Sequence, residues 1–322
     1  MKYREKIMEI NKEMNQNIHK KHRWKFFAER YKEFLKDEKI VDYIKNFVYV
    51  ENKKEKNIRV NTLKVTIEEF EKRLKDAKVE LRKIDWLDFG YYAKASFALG
   101  ATIEFLQGLY YIQSLASQYV VKVLSPKPYS LVLDMASAPG GKTSLIAQYM
   151  NNTGMIIALE KHSHRFESLK ANLQRLNVKN TIVLFQDATN FRFDEKFDYI
   201  LVDAPCSGNF YSDKDWFNKR SLKEIKEKSK LQIKMLKHAI ELLKKDGILV
   251  YSTCSLEPEE NEYVIDQILD FDVKLIPIEK PLERMDALNL DLKHKEISKY
   301  CTRFWPHIHN TDGFFICKMM KK

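Results

Sequence analysis

Glycine and proline are scarce in this 322-residue chain, nine and eight respectively. That scarcity excludes collagen-like and low-complexity architectures and predicts short loops between regular elements. Cysteine is scarcer still. Cys206, Cys254, Cys301 and Cys317 are the only four, and no two of them form a C-x-x-C pair. A disulfide scaffold is therefore not expected, and each thiol reads as core filler or as chemistry. No apolar run approaches the roughly 18 residues of a membrane span. The opening residues MKYREKIMEINKEMNQ carry charge from the start, with no apolar signal core. A cytoplasmic protein, and a monomer, is expected. Cysteines and histidines do not occur in pairs at ligand spacing, so no metal site is expected.

Acidic residues are outnumbered, and unevenly so. The net charge is +11, and residues 1–100 hold 25 Lys and Arg against 17 Asp and Glu. A basic front end points to an anionic partner. Lys20, Lys21, Arg23, Lys25, Lys53, Lys54 and Lys56 are the candidate contacts to that partner.

Residues 1–50 read as helices, with Phe26, Phe27, Ala28, Tyr31, Phe34 and Leu35 at helical spacing. Residues 51–100 read as a small α+β module. In it Ile58–Val65 alternates like a strand, Thr66 caps a helix with Glu69 three residues on, and Val79–Ile84 is β-like. Residues 102–124 read as helical. From Leu131 onward β-rich runs alternate with amphipathic helical stretches. The runs are Leu131–Ala136, Met155–Glu160, Thr181–Asp187, Tyr199–Ala204, Ile248–Cys254, Val273–Ile278 and Phe314–Met319. The helical stretches are 143–150, 163–176, 221–244 and 258–270. Such alternation predicts an α/β fold, a Rossmann-like sheet with helices on both faces, over residues 101–322. Ligands of such sheets bind beyond the C-terminal strand ends, where Asp134, Glu160, Asp187 and Asp203 are expected to gather.

The first run leads into Ala136-Ser137-Ala138-Pro139-Gly140-Gly141-Lys142, a glycine turn before a helix start. One reading is a phosphate-binding P-loop of a nucleotide hydrolase. Ala136 stands where that motif needs its first glycine, and Pro139 has no N–H to offer a phosphate. The other reading is an S-adenosylmethionine site. Glu160, 19 residues after Gly141, suits a ribose diol, and Asp187 is placed to reach the adenine amino group.

Two cysteines then stand at the ends of successive runs, in Asp203-Ala-Pro-Cys-Ser-Gly208 and Ser252-Thr-Cys-Ser255. On adjacent strands they would lie about 4.8 Å apart, at one rim. Cytosine C5 is not nucleophilic. A thiolate that adds to C6 makes C5 enamine-like, and an acid at N3 supports the adduct. Two thiols and Asp203 beside a methyl donor supply those groups. Cys301 and Cys317 read as core.

These motifs resemble the RNA 5-methylcytosine methyltransferase family, the Nop/Sun family. The matching pieces are Ala136–Lys142, Glu160 with Arg165, Asp187, Asp203–Gly208, Ser252–Asn261, and Arg303-Phe-Trp-Pro-His307 with Thr311-Asp-Gly-Phe-Phe315. Ile58-Arg-Val-Asn-Thr62 resembles the family's RRM-like N-terminal module. The Ser137-Ala138 pair departs from the Ala-Pro of many members. The resemblance implies Cys254 as nucleophile, Cys206 as the thiol of product release and Asp203 at the target base. It implies Ala136–Lys142, Glu160, Arg165, Asp187 and Asp203 around S-adenosylmethionine. The implied partner is RNA, with tRNA favoured over rRNA.

Overall fold

The structure, a computed structural model, describes residues 23–47 and 55–322. Lys20, Lys21, Lys53 and Lys54 lie outside the described residues.

Helices α1 (Arg23–Leu35) and α2 (Lys39–Lys45) come first. On α1, Phe27, Ala28 and Tyr31 fall on one face and are fully buried. They join the largest core of the molecule, with the Phe27 ring 4.7 Å from that of Trp216. The opening helices thus cover the C-terminal domain and are no part of the small module's core.

The small module contains β1 (Glu55–Val60), α3 (Ile67–Asp76), β2 (Glu80–Lys83), β3 (Gly90–Lys94) and β4 (Tyr110–Ile112). Thr66 caps α3, accepting from the Glu69 backbone N–H at 3.2 Å. The strands are antiparallel in the order β2-β3-β1-β4, over a core of Ile58, Val60, Phe70, Leu74, Tyr91 and Tyr110. Strand β4 corrects the helix expected across 102–124, and it carries the small sheet past residue 100. Gly108 breaks that helix. Its φ is +74°, and a Cβ there would sit 2.1 Å from the Arg175 carbonyl oxygen. Tyr110 then extends the sheet before Ser114 caps α4 (Leu115–Leu124).

The large sheet comprises β5 (Leu131–Asp134), β6 (Met155–Glu160), β7 (Thr181–Phe185), β8 (Phe197–Asp203), β9 (Leu243–Thr253), β10 (Val273–Ile276), β11 (Thr302–Phe304) and β12 (Phe314–Lys321). Its order is β10-β12-β9-β8-β5-β6-β7, with β11 paired to β12. Strands β5 to β9 run parallel, and β12 returns antiparallel beside β9. Helices α5 (Gly141–Tyr149), α6 (Ser163–Arg175), α7 (Leu222–Leu242) and α8 (Glu262–Ile268) connect or cover them. Strand β5 has β6 on one side and β8 on the other, so the order reverses there and a crevice opens beyond the strand ends. The helix expected over 258–270 begins only at Glu262, because Pro258–Glu260 makes a tight 3₁₀ turn first. Among the described residues no helix is long and apolar enough to cross a membrane, and no cluster of three metal-ligating side chains occurs.

Candidate active site

The first strand-to-helix turn is shaped from beneath by Asp134. Its side chain is sealed inside, where it accepts the Thr143 hydroxyl at 2.7 Å. Asp134 is therefore no rim carboxylate, contrary to the sequence reading. Gly140 makes the turn at φ +102°, with its N–H donating to the Ser137 carbonyl at 2.8 Å. Arg165 and Asn172, both on α6, donate to the Ala138 and Pro139 carbonyls at 2.6 and 2.8 Å. The ammonium of Lys142 points away from the turn, to Asp203 Oδ2 at 2.7 Å. It is committed there and not to a phosphate nest.

Glu160 ends β6 and is 4% exposed. Its Oε1 accepts the His162 N–H at 2.8 Å, and Arg165 Nη1 lies 3.7 Å from Oε2. A buried carboxylate so sparsely bonded keeps acceptor capacity for a ligand. Asp187 lies two residues beyond β7. Desolvation acts upward on its carboxyl, yet the Thr189 N–H at 2.8 Å and Lys161 at 3.4 Å hold it below the usual range. Both acids line a cavity of about 220 Å³, whose apolar walls include Leu159, Pro205, Leu231 and Met235. Ala136 and Arg165 border it as well. Two acids and apolar walls fit a ligand with a ribose diol and an adenine ring.

The thiols sit where β8 and β9 end side by side, with Asp203 opposite Ser252 in register. Asp203 Oδ1 accepts the Ser252 hydroxyl at 2.7 Å, which leaves Oδ2 to Lys142. Just beyond, Cys206 Sγ and Cys254 Sγ are 3.1 Å apart, and both residues are partly exposed. The hydrogen bond with Cys254 and then burial push the Cys206 thiol well up. Asn209 ties the two loops together, donating to the Cys254 carbonyl at 2.6 Å and to the Gly313 carbonyl at 3.2 Å. Cys301 and Cys317 are fully buried in the core.

Sequence reasoning missed the carboxylates behind Cys254. Glu257 is fully buried between α1 and the Cys254 loop. It accepts Arg30 Nη2 at 3.0 Å and the Tyr31 hydroxyl at 2.5 Å. Burial raises its pKa to about 7 against the pull of Arg30. Arg30 also holds Glu259 at 2.9 Å. Further on, Arg303 grips Glu262 through two 2.6 Å bonds, both residues fully buried, and donates to the Leu256 carbonyl at 3.0 Å. The sequence signal of these carboxylates is the run Glu257-Pro-Glu-Glu-Asn-Glu262, acids too dense for a surface turn and largely within the Ser252–Asn261 motif.

Residues 121–320 match the family described as 16S rRNA methyltransferase RsmB/F, and residues 25–115 match the N-terminal domain of 16S rRNA methyltransferase RsmF. The chain belongs to the RsmB/F methyltransferase family. A Pyrococcus abyssi tRNA (cytosine(49)-C(5))-methyltransferase is 34% identical across all of this chain and 99% of its own length. A Mus musculus 28S rRNA (cytosine-C(5))-methyltransferase is 38% identical over 82% of this chain, but over only 35% of its own length. The chain spans about a third to three-fifths of the length of several rRNA methyltransferases that it matches. A solved methyltransferase homolog from Pyrococcus horikoshii superposes with a TM-score of 0.82 at 38% identity, covering 92% of this chain and 95% of its own. The two family matches meet between residues 115 and 121, close to where β4 ends the small sheet.

Proposed function

We propose that this RsmB/F family member is an S-adenosylmethionine-dependent RNA (cytosine-C5)-methyltransferase in which Cys254 is the nucleophile. One observation carries the reading: two sulfurs 3.1 Å apart stand at adjacent strand ends, beside a Lys142–Asp203 ion pair and a cavity flanked by acids. Glu160, Asp187, Arg165 and the Ala136–Gly141 turn would hold the cofactor, which supplies the methyl group.

The target cytosine has to leave its stack to reach this rim. Cys254 as thiolate adds to C6 and pushes an electron pair toward N3, where the ammonium of Lys142, held beside the base by Asp203, answers the growing negative charge. The adduct makes C5 electron-rich enough to take the methyl. Release then needs the C5 proton removed, so that the C5–H electrons rebuild the C5–C6 double bond as the C6–S bond breaks. Cys206 is suited to that second step. Its proton is held chiefly by the neighbouring Cys254 sulfur. Once Cys254 is bonded to carbon it carries no charge, and that hold on the Cys206 proton weakens. The thiol is then freer to ionise and act as base.

The substrate class is RNA, and tRNA is favoured, because the relative matched over nearly its whole length is named for tRNA. The test is a pair of variants on tRNA labelled from methyl-tritiated S-adenosylmethionine. Cys254→Ala should lose methyl transfer and still bind the cofactor. Cys206→Ala should trap RNA on the protein as a denaturant-resistant adduct. Normal turnover by Cys254→Ala would end the assignment.

A further inference from the structure

Each rim cysteine is followed by a serine, Ser207 after Cys206 and Ser255 after Cys254. The two serines touch each other, and the first is held by a buried carboxylate. Glu260 is fully buried, and Ser207 donates to it twice: the backbone N–H to Oε1 at 2.9 Å and the hydroxyl to Oε2 at 2.5 Å. The Ser255 hydroxyl lies 3.2 Å from that of Ser207, so Ser207 stands between Ser255 and the carboxylate. Gln232 of α7 donates to Oε1 at 3.1 Å, and the Tyr251 hydroxyl on β9 holds the Glu260 carbonyl at 2.6 Å. A buried carboxylate is tolerated only when its oxygens are bonded. Here the bonds come from the N–H and hydroxyl of the residue after Cys206 and from Gln232.

The sheet does not set the sulfur spacing. Register between β8 and β9 ends at Asp203 opposite Ser252. Cys206 lies three residues beyond its strand pair and Cys254 two, on separate loops. We propose that Glu260 is a positioning residue that holds the Cys206 and Cys254 sulfurs together by fixing Ser207, whose hydroxyl in turn holds that of Ser255. The proposal rests on the reading of these two cysteines as the reacting pair. Glu260 touches no substrate; it acts through the backbones that carry the thiols. A carboxylate suits the role because it accepts several hydrogen bonds from different directions.

The experiment measures sulfur proximity directly, in the full chain, without RNA or cofactor. Diamide takes two electrons and two protons from the two thiols, its azo bond becoming a hydrazine as a Cys206–Cys254 disulfide forms. The linked peptides are followed by mass spectrometry, with Cys206→Ser as the blank. In Glu260→Gln the linking rate is expected to fall about tenfold or more, because a misplacement of ~1 Å is enough to cost up to ~100-fold in a proximity-driven reaction. In the methylation assay kcat is expected to fall in parallel, with KM for tRNA and affinity for S-adenosylmethionine unchanged. A purely structural role would lower thermal stability and cofactor affinity without singling out linking and kcat. Should Glu260→Gln not fold, Ser207→Ala and Ser255→Ala carry the test, since each breaks the hydroxyl relay from Glu260 to Ser255 and leaves Glu260 in place. Wild-type linking rates in the folded variants overturn the proposal. Slow linking in the variants, with no methylation by the wild type, removes the functional reading and leaves Glu260 as the spacer.

Discussion

Asp134 shows what burial does to one residue. It is closed off from solvent, and desolvation raises its pKa from 3.8 to about 6, against the hydrogen bond from Thr143. The folded protein therefore holds this proton more tightly than the unfolded chain does. The stability it contributes is fully present below pH 3.8 and is lost as pH rises through about 6. A shift of that size corresponds to about 3 kcal/mol. Asp134→Asn, which cannot ionise, is expected to flatten the fall in urea-unfolding stability across that window relative to wild type. A variant curve parallel to the wild-type curve would disprove this. The same scale separates the two rim sulfurs, because the bond with Cys254 keeps the proton on Cys206.

At the scale of elements, α1 is decisive. It packs against the domain that carries the cysteines, and Arg30 and Tyr31 reach the loop behind Cys254 through Glu257. Removing one partner of a buried ion pair strands the other, at about 3–5 kcal/mol. Arg30→Ala is expected to cost that much in denaturant unfolding. Adding Glu257→Gln is expected to restore part of the loss, because the stranded charge is then gone. Additive losses in the double mutant would show that the pair is not coupled. The alternation of strands and helices from Leu131 onward was plain in the sequence because each element buries its own apolar face. Strand β4 was not plain. Tyr110-Tyr-Ile112 is short, apolar and flanked by helix formers, and only pairing with β1 makes it a strand.

At the scale of the whole molecule, two of the candidate basic contacts, Arg23 and Lys25, lie on α1, the helix packed against the domain that carries the cysteines. Arg23 donates to the Asn218 carbonyl, in the segment that follows the Cys206 loop, and Lys25 is exposed on the same helix. Each phosphate neutralised adds about 0.7–0.9 to the salt slope of binding. Arg23→Glu combined with Lys25→Glu is expected to weaken tRNA binding about tenfold or more and to lower the slope of log Kd against log salt by about 1.4–1.8. S-adenosylmethionine affinity should not change. An unchanged slope would place the phosphate contacts elsewhere.

The sequence by itself determined the α/β class, the glycine turn after β5, Glu160 and Asp187 near it, and the two cysteines at successive strand ends. Those features are local, written in hydrophobic period, in glycine position and in residue types a few places apart. Tertiary structure alone decided that Asp134 is sealed away, that Lys142 faces Asp203 and that α1 clamps the Cys254 loop. It also brought Ser207 to the buried carboxylate of Glu260 and to the hydroxyl of Ser255. Glu260 and Ser207 are 53 residues apart in the chain, and Arg30 and Glu257 are 227 apart. No short-range pattern encodes such pairs. They exist because a buried charge must find its hydrogen bonds wherever the fold brings a donor within reach.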